Sequence, residues 1–144
     1  MTRPVILRRY ETRVEFHQVD SLRVVHNAQY LLWFERGRLE LLEEVFPMRR
    51  LSTLTLATPV VENRCLYLAP AVYGDELLVT TRHRLLDRYE GRFAFEHDIV
   101  NRRTKVELAR GETVVAVLDL ERQALVKEIP AEIWQRYLAL PSRT

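Results

Sequence analysis

The chain has 144 residues, 47% apolar and 29% charged, enough for one folded domain spanning 1–144 that buries most of the surface its unfolded form exposes. Lys and Arg number 22 against 20 Asp and Glu, a formal charge of +2 that is too balanced for a nucleic-acid-binding stripe. No apolar run approaches about 18 residues, so no membrane span is expected, and the single Cys65 rules out an internal disulfide or a cysteine metal cage and fits the cytoplasm.

The opening stretch has no long apolar core and does not read as a signal peptide. Residues 5–16 alternate: Ile6, Tyr10, Val14 and Phe16 share one parity, and Arg9, Glu11, Arg13 and Glu15 share the other, which predicts a strand. A helix is predicted from Asn27 to about Val45. Tyr30, Trp33, Phe34, Gly37, Leu41 and Val45 recur on one face, and Leu31 and Leu32 widen it, so the helix should be mostly buried. Gly37 costs up to about 1 kcal/mol there relative to Ala. Close approach of the helix to a sheet would offset that cost. The loop 46–57, with Pro47, Arg49 and Arg50, carries the least pattern.

From residue 58 the period becomes two. Strands are predicted at about 59–69, 75–87, 92–101 and 106–120. Short turns join them at Tyr73-Gly74-Asp75, Tyr89-Glu90-Gly91 and Arg103-Thr104-Lys105. Pro130 then opens a short terminal helix, PAEIWQRYL. The order is that of an α+β domain, an antiparallel sheet of about five strands wrapped around one long helix. Such a sheet keeps an edge, which calls for a partner subunit.

The chemistry points to one stretch. Asp20 stands seven residues before the helix opens at Asn27. That spacing aims one ionised side chain and one set of free backbone N–H groups at the same place. Water attack on a carbonyl needs both, a base or nucleophile and a donor for the developing oxyanion. The other reading of a lone Asp here is a cap or turn residue. His17, His83 and His97 have no metal-ligand spacing, and no metal or other cofactor is expected. There is no G-x-S-x-G, and Gly37, Gly74, Gly91 and Gly111 are too scattered to cradle a phosphate. Cys65 should be buried in a strand, and Arg102, Arg103 and Lys105 form a solvated hairpin tip.

The stretch around Asp20 resembles the first motif of the hotdog-fold thioesterases of the 4-hydroxybenzoyl-CoA type. Phe16, Gln18, Asp20, Arg23, Val24, Val25, His26, Tyr30, Trp33, Phe34 and Glu35 fall in its slots. The later PVVENRCLYLAPAVYGDELLVTT is similar to the family's second strand and hairpin, and IPAEI to its C-terminal end, so the likeness covers about residues 8–133. The resemblance implies a cytoplasmic homodimer or homotetramer that hydrolyses an acyl-CoA thioester at a site between two subunits. It implies Asp20 as catalytic base or nucleophile and the Asn27 backbone N–H as the group that polarises the thioester carbonyl. His26, Tyr30, Glu62, Arg88 and Arg92 become substrate-side candidates. For each of these a structural role stands beside the functional one: Tyr30 as core or dimer contact, Glu62 as the acidic residue that relatives often place on this strand or as a structural or supporting one, Arg88 and Arg92 as CoA-phosphate contacts or a solvated turn.

Three slots depart from the motif. Its first Asp is Gln18, its Gly is Arg23, and its common His is Asn27, with a histidine displaced to His26. His26-Asn27-Ala28-Gln29-Tyr30 fits a second subgroup nearly as well. A non-catalytic acyl-CoA-binding or regulatory module on the same fold, a thioesterase for acyl-carrier-protein substrates and a hotdog hydratase are the alternatives.

Overall fold

The computed structural model describes residues 6–44, 55–84 and 91–140. Strand β1 (Ile6–Arg13) is followed by a 3-10 turn at Phe16–Gln18 and helix α1 (Asn27–Leu42). Strands β2 (Leu56–Ala57), β3 (Val60–Tyr67), β4 (Glu76–Arg84), β5 (Arg92–Asn101), β6 (Glu107–Ala116), β7 (Leu118–Asp119) and β8 (Ala124–Leu125) precede helix α2 (Ala131–Ala139). The main sheet is antiparallel in the order β1-β4-β5-β6-β3, and β2, β7 and β8 make a second small sheet. This is the hotdog architecture that the resemblance implies.

Alternation writes the sheet's inner face. On β5, Phe93, Phe95, His97 and Ile99 are buried. Their β4 neighbours Leu77, Val79, Thr81 and His83 are buried as well. α1 lies across this face with Tyr30, Trp33, Phe34, Leu41 and Leu42 turned in. Burying each such side chain stabilises the fold by roughly 1.5–3 kcal/mol.

The apolar core is in two parts. One gathers Tyr10, Val25, Tyr30, Trp33, Phe34 and Ile99 near the start of α1. The other gathers Ile6, Leu41, Phe93, Phe95, Ile129 and Tyr137 near its end. A polar belt lies between them. Thr113 donates its hydroxyl proton to Asn63 Oδ1 at 2.8 Å. His97 Nε2 lies 3.1 Å from Thr113 Oγ1, so it must carry the proton and donate. His97 Nδ1 then accepts from Thr81 Oγ1 at 3.1 Å. The His97 ring stacks on Phe34, centroids 4.4 Å apart and nearly parallel.

Two glycines make this contact possible. A Cβ at Gly37 would overlap Thr81 Oγ1, and one at Gly111 would meet the Phe34 ring and the Arg64 carbonyl. The reading of Gly37 as a point of close approach therefore holds.

Other expectations are corrected. β1 ends at Arg13, and Phe16, in the 3-10 turn, is 77% exposed against Tyr73. α1 ends at Leu42 and is buried on one side only, with Leu32 56% exposed. Val45 and residues 46–54 of the weakly patterned loop lie outside the described residues, while Leu56 and Ala57 form β2. The long last strand breaks after Ala116, where Val117 N–H turns to the Gly91 carbonyl at 3.1 Å. β3 is an edge strand open on both faces, so Cys65 is half-buried rather than buried.

Two histidines tie stability to pH. Burial holds His83 and His97 down to about 3, Arg38 adding to the effect on His97. An imidazole in the unfolded chain titrates near 6.5. Below about pH 6.5 the unfolded chain therefore binds protons that the fold refuses, and stability falls as pH drops towards 3. Each histidine contributes a slope of about 1.4 kcal/mol per pH unit within that window. Urea unfolding between pH 6.5 and 5 should show this slope, and His83→Phe should flatten it by about one proton.

Candidate active site

The site is built where the chain passes from β1 into α1. Val19 and Val25 form an antiparallel bridge that closes a tight loop. Inside it Asp20 N–H donates to the Val24 carbonyl and Arg23 N–H to the Asp20 carbonyl, both at 2.9 Å. Asp20 Oδ1 accepts from Leu22 N–H at 2.8 Å. Asp20 is thus a turn residue, as one reading had it, but only one carboxylate oxygen is committed. Oδ2 accepts no hydrogen bond among the described residues. Asp20 does not end a strand, because the 3-10 turn comes between β1 and the loop.

Arg23 explains how the loop survives without the motif's glycine. Its φ is 65°, in the left-handed region. The glycine-like backbone is kept and the strain, of order 1 kcal/mol, is carried by an arginine. Gln18 is likewise absorbed by local structure. Its Oε1 accepts from Glu15 N–H at 2.8 Å, and its carbonyl accepts from His26 N–H at 2.9 Å. Val25 N–H reaches the Ala71 carbonyl at 2.9 Å, so the loop is strapped on both sides.

The start of α1 leaves one donor open. His26 is the N-cap, with φ −58° and ψ 138°, and its Nδ1 accepts from Ala28 N–H at 3.0 Å. Its carbonyl accepts from Gln29 N–H at 3.0 Å. Asn27 N–H has no partner among the described residues, and it stands at the positive end of a 16-residue helix. From the sheet side Tyr67 donates its hydroxyl to the Asn27 carbonyl at 2.8 Å. Burial, then the neighbours Cys65 and Tyr30, push Tyr67 up to about 12, so it remains a donor. Tyr30 packs edge-on against Tyr67 with centroids 5.2 Å apart, and burial raises its own pKa.

Asp20, His26, Asn27, Tyr30 and Tyr67 line one cleft of about 450 Å³, with Leu68 and Pro70 among its apolar walls. Four sequence candidates are thereby brought together: Asp20, Asn27, His26 and Tyr30. Tyr67 joins them unannounced. It lies at the right parity on β3, but nothing in the sequence says that its strand runs beside the helix start.

The other candidates lie elsewhere. Glu62, exposed near the start of β3, is 3.3 Å from Arg64. Arg92 is exposed at the first residue of β5, and about 30 Å of strand runs from there to Asn101 near the cleft. Arg88 lies outside the described residues. A larger groove of about 920 Å³ crosses the sheet's outer face, but its charges are largely paired, Arg82 with Asp98 and Arg64 with Glu112. Among the described residues no group of three His, Cys, Asp or Glu could hold a metal ion, and no helix is long and apolar enough to cross a membrane.

Comparison with known proteins points the same way. The family model described as the thioesterase-like superfamily matches residues 14–137. A candidate esterase of Aquifex aeolicus is 29% identical over 87 residues, 60% of this chain and 68% of that protein. A candidate acyl-CoA thioesterase of Bacillus subtilis, YneP, is 29% identical over 82 residues, 56% of this chain and 57% of that protein. The crystal structure of a 1,4-dihydroxy-2-naphthoyl-CoA thioesterase from Synechocystis superimposes with a TM-score of 0.79 at 23% identity, over 93% of this chain and 97% of that one. At that identity the likeness shows the fold.

The loop at Arg23 gives a direct test of backbone strain. Arg23→Gly should leave the melting temperature within a few degrees, because relief of strain roughly cancels the extra freedom of the unfolded chain. Arg23→Val, β-branched at positive φ, should lower it by about 3–8 °C in thermal melts.

Proposed function

The chain belongs to the thioesterase-like superfamily and is a thioester hydrolase; we propose that its substrate is an acyl-CoA, cleaved to the free acid and CoA in the Asp20 cleft. One observation carries this reading. Asp20, with one carboxylate oxygen uncommitted among the described residues, and Asn27, with its N–H unpartnered among them, line the same 450 Å³ space.

In this reading the thioester carbonyl oxygen takes the Asn27 N–H, and the helix start stabilises the charge that develops there. Asp20 removes a proton from water as the water oxygen attacks the carbonyl carbon. The C–S bond then breaks, and the departing sulfur takes that proton. In the covalent form Asp20 attacks the carbonyl itself and the C–S bond breaks, expelling the CoA thiolate; water then opens the resulting anhydride to the acid and the Asp20 carboxylate, and the proton it gives up goes to the thiolate. The N–H serves equally in both. Oxyanion donors contribute about 10²–10³ in rate and a positioned base about 10²–10⁴. The name of the B. subtilis relative supports a CoA thioester over a carrier-protein thioester.

We further read the active form as a dimer or larger homo-oligomer. The free edge of β3 can pair antiparallel with the same edge of a second copy. A register centred on Asn63 sets Glu62 opposite the partner's Arg64 and Val60 opposite the partner's Leu66. Opposite charges in such pairs contribute about 0.2–1 kcal/mol each.

Three measurements bear on this. Asp20→Asn keeps an oxygen for Leu22 N–H, so the protein should fold while thiol release falls about 10²-fold or more; near-normal release would sink the catalytic role and favour a binding module. The substrates should include aromatic, short-chain and long-chain acyl-CoAs and carrier-protein thioesters.

Asn27→Pro removes the N–H itself. Asn27 is the first helical residue, where proline is tolerated, and His26 at ψ 138° already has the conformation that must precede it. Turnover should fall about 10²–10³-fold, whereas Asn27→Ala should retain activity within a few-fold.

For the assembly, Glu62→Arg and Arg64→Glu should each weaken self-association and the double exchange should restore it. A fully active 17.1 kDa species in light scattering would refute the oligomer.

A further inference from the structure

His26 occupies a position that a side chain with a fixed charge state would usually hold. Helix N-caps are normally Ser, Thr, Asp or Asn, whose oxygens accept at any working pH. Here the acceptor is the imidazole Nδ1, 3.0 Å from Ala28 N–H. It can accept only while Nδ1 is unprotonated, so the ring is the neutral tautomer with its hydrogen on Nε2.

The cap acts next to the donor used in catalysis. The Asn27 N–H belongs to the peptide unit whose carbonyl is His26's own. Three contacts made by His26 fix that unit: its N–H to the Gln18 carbonyl at 2.9 Å, its ring to Ala28 N–H, and its carbonyl to Gln29 N–H at 3.0 Å. Of the first three helical N–H groups, His26 takes those of Ala28 and Gln29 and leaves that of Asn27. The hydrogen bond at the carbonyl end also polarises the N–H at the other end of the same peptide.

We propose that His26 is a pH-sensitive positioning residue. Its neutral ring caps α1 and thereby aims the Asn27 N–H at the thioester oxygen, and protonation releases the cap and mis-sets the donor. The proposal rests on the Asn27 N–H being the oxyanion donor. In this role His26 acts through the peptide that follows it.

The sign follows from the geometry. A protonated ring has no lone pair for Ala28 N–H and sets a cation at the positive end of the helix. The function is therefore complete at alkaline pH and lost as pH falls. The titratable groups sharing the cleft are Asp20 from the loop, Tyr30 from α1 and Tyr67 from β3. The Tyr67 hydroxyl is held by the Asn27 carbonyl, and Tyr30 is held neutral by burial. Asp20 is the one cleft carboxylate whose own titration could shape the same acid limb. Arg23 is a further charged group on the same loop. His17 and Glu15, 3.4 Å apart, sit on the 3-10 turn that supplies the Gln18 carbonyl.

The experiment compares wild type, His26→Asn and His26→Ala. The amide of Asn caps a helix and does not titrate. Initial rates of thiol release from an acyl-CoA, measured from pH 5 to 9, give kcat and KM, and thermal melts without substrate are run over the same range. At pH 8, His26→Asn should retain kcat within about threefold, while His26→Ala loses about tenfold in kcat with KM within about twofold. Wild type should lose kcat on the acid side along a limb that His26→Asn lacks, leaving only the limb of Asp20. The melting temperature of wild type should fall relative to His26→Asn as pH drops.

Acid limbs that coincide in wild type and His26→Asn overturn the proposal. So does a normal kcat in a folded His26→Ala, whatever the melts show. Should His26→Ala fail to fold, the His26→Asn profile still decides. Full activity in Asn27→Pro would instead refute the oxyanion reading, and the divergence of the melts with pH would still report the cap. The two failures are therefore distinguishable.

Discussion

The structure depends on how closely α1 sits on the sheet. At Gly37 the helix backbone rests against Thr81, and at Gly111 the sheet backbone admits the Phe34 ring, which lies flat on His97. A methyl group at either glycine would lift the helix. Gly37 is ten residues from Asn27, about 15 Å along the axis. A helix seated at its middle over two glycines has little freedom to tilt, so its first turn is delivered to one place. That place is beside Asp20.

The belt under this contact is polar, and it is directional. Thr81, His97, Thr113 and Asn63 hand hydrogen bonds from the buried centre of the sheet to its exposed edge, each hydroxyl proton and each imidazole nitrogen assigned by its neighbour. A buried polar group left unpaired costs about 1–3 kcal/mol. The chain therefore tolerates only one register of helix on sheet, the one in which every member has its partner. The apolar clusters on either side supply the larger share of the burial, and the belt specifies how they meet.

The active-site end uses the same economy. Among the described residues, only Asn27 of the first three backbone donors of α1 is unassigned, and only Oδ2 of the oxygens of Asp20. Tyr67 holds the Asn27 carbonyl, and the His26 carbonyl, in the peptide before it, holds Gln29 N–H. Chemistry is therefore placed by what the local structure leaves over. The broad groove on the sheet's outer face is larger but has little left over, since its arginines already meet carboxylates.

The sequence by itself determined the succession of elements, the buried face of α1, the need for a close approach at Gly37 and the pairing of Asp20 with a helix start at Asn27. These are local matters, set by period, turn chemistry and spacing. Only the tertiary structure decided that Phe16 faces outward, that the last strand breaks at Val117, that β3 lies at an edge with Tyr67 beside the helix start, and that Arg92 stands at the far end of the sheet. Those depend on which strands become neighbours, and alternation is the same for a central strand and an edge strand until the partners are known. The replaced residues of the motif show the same division. Letters alone leave Gln18, Arg23 and Asn27, with its histidine displaced to His26, as departures, because φ and hydrogen-bond partners are not written in residue type. In the fold Arg23 keeps the glycine's backbone, Gln18 caps a 3-10 turn and His26 caps a helix, since neighbouring groups supply the contacts that hold each one there.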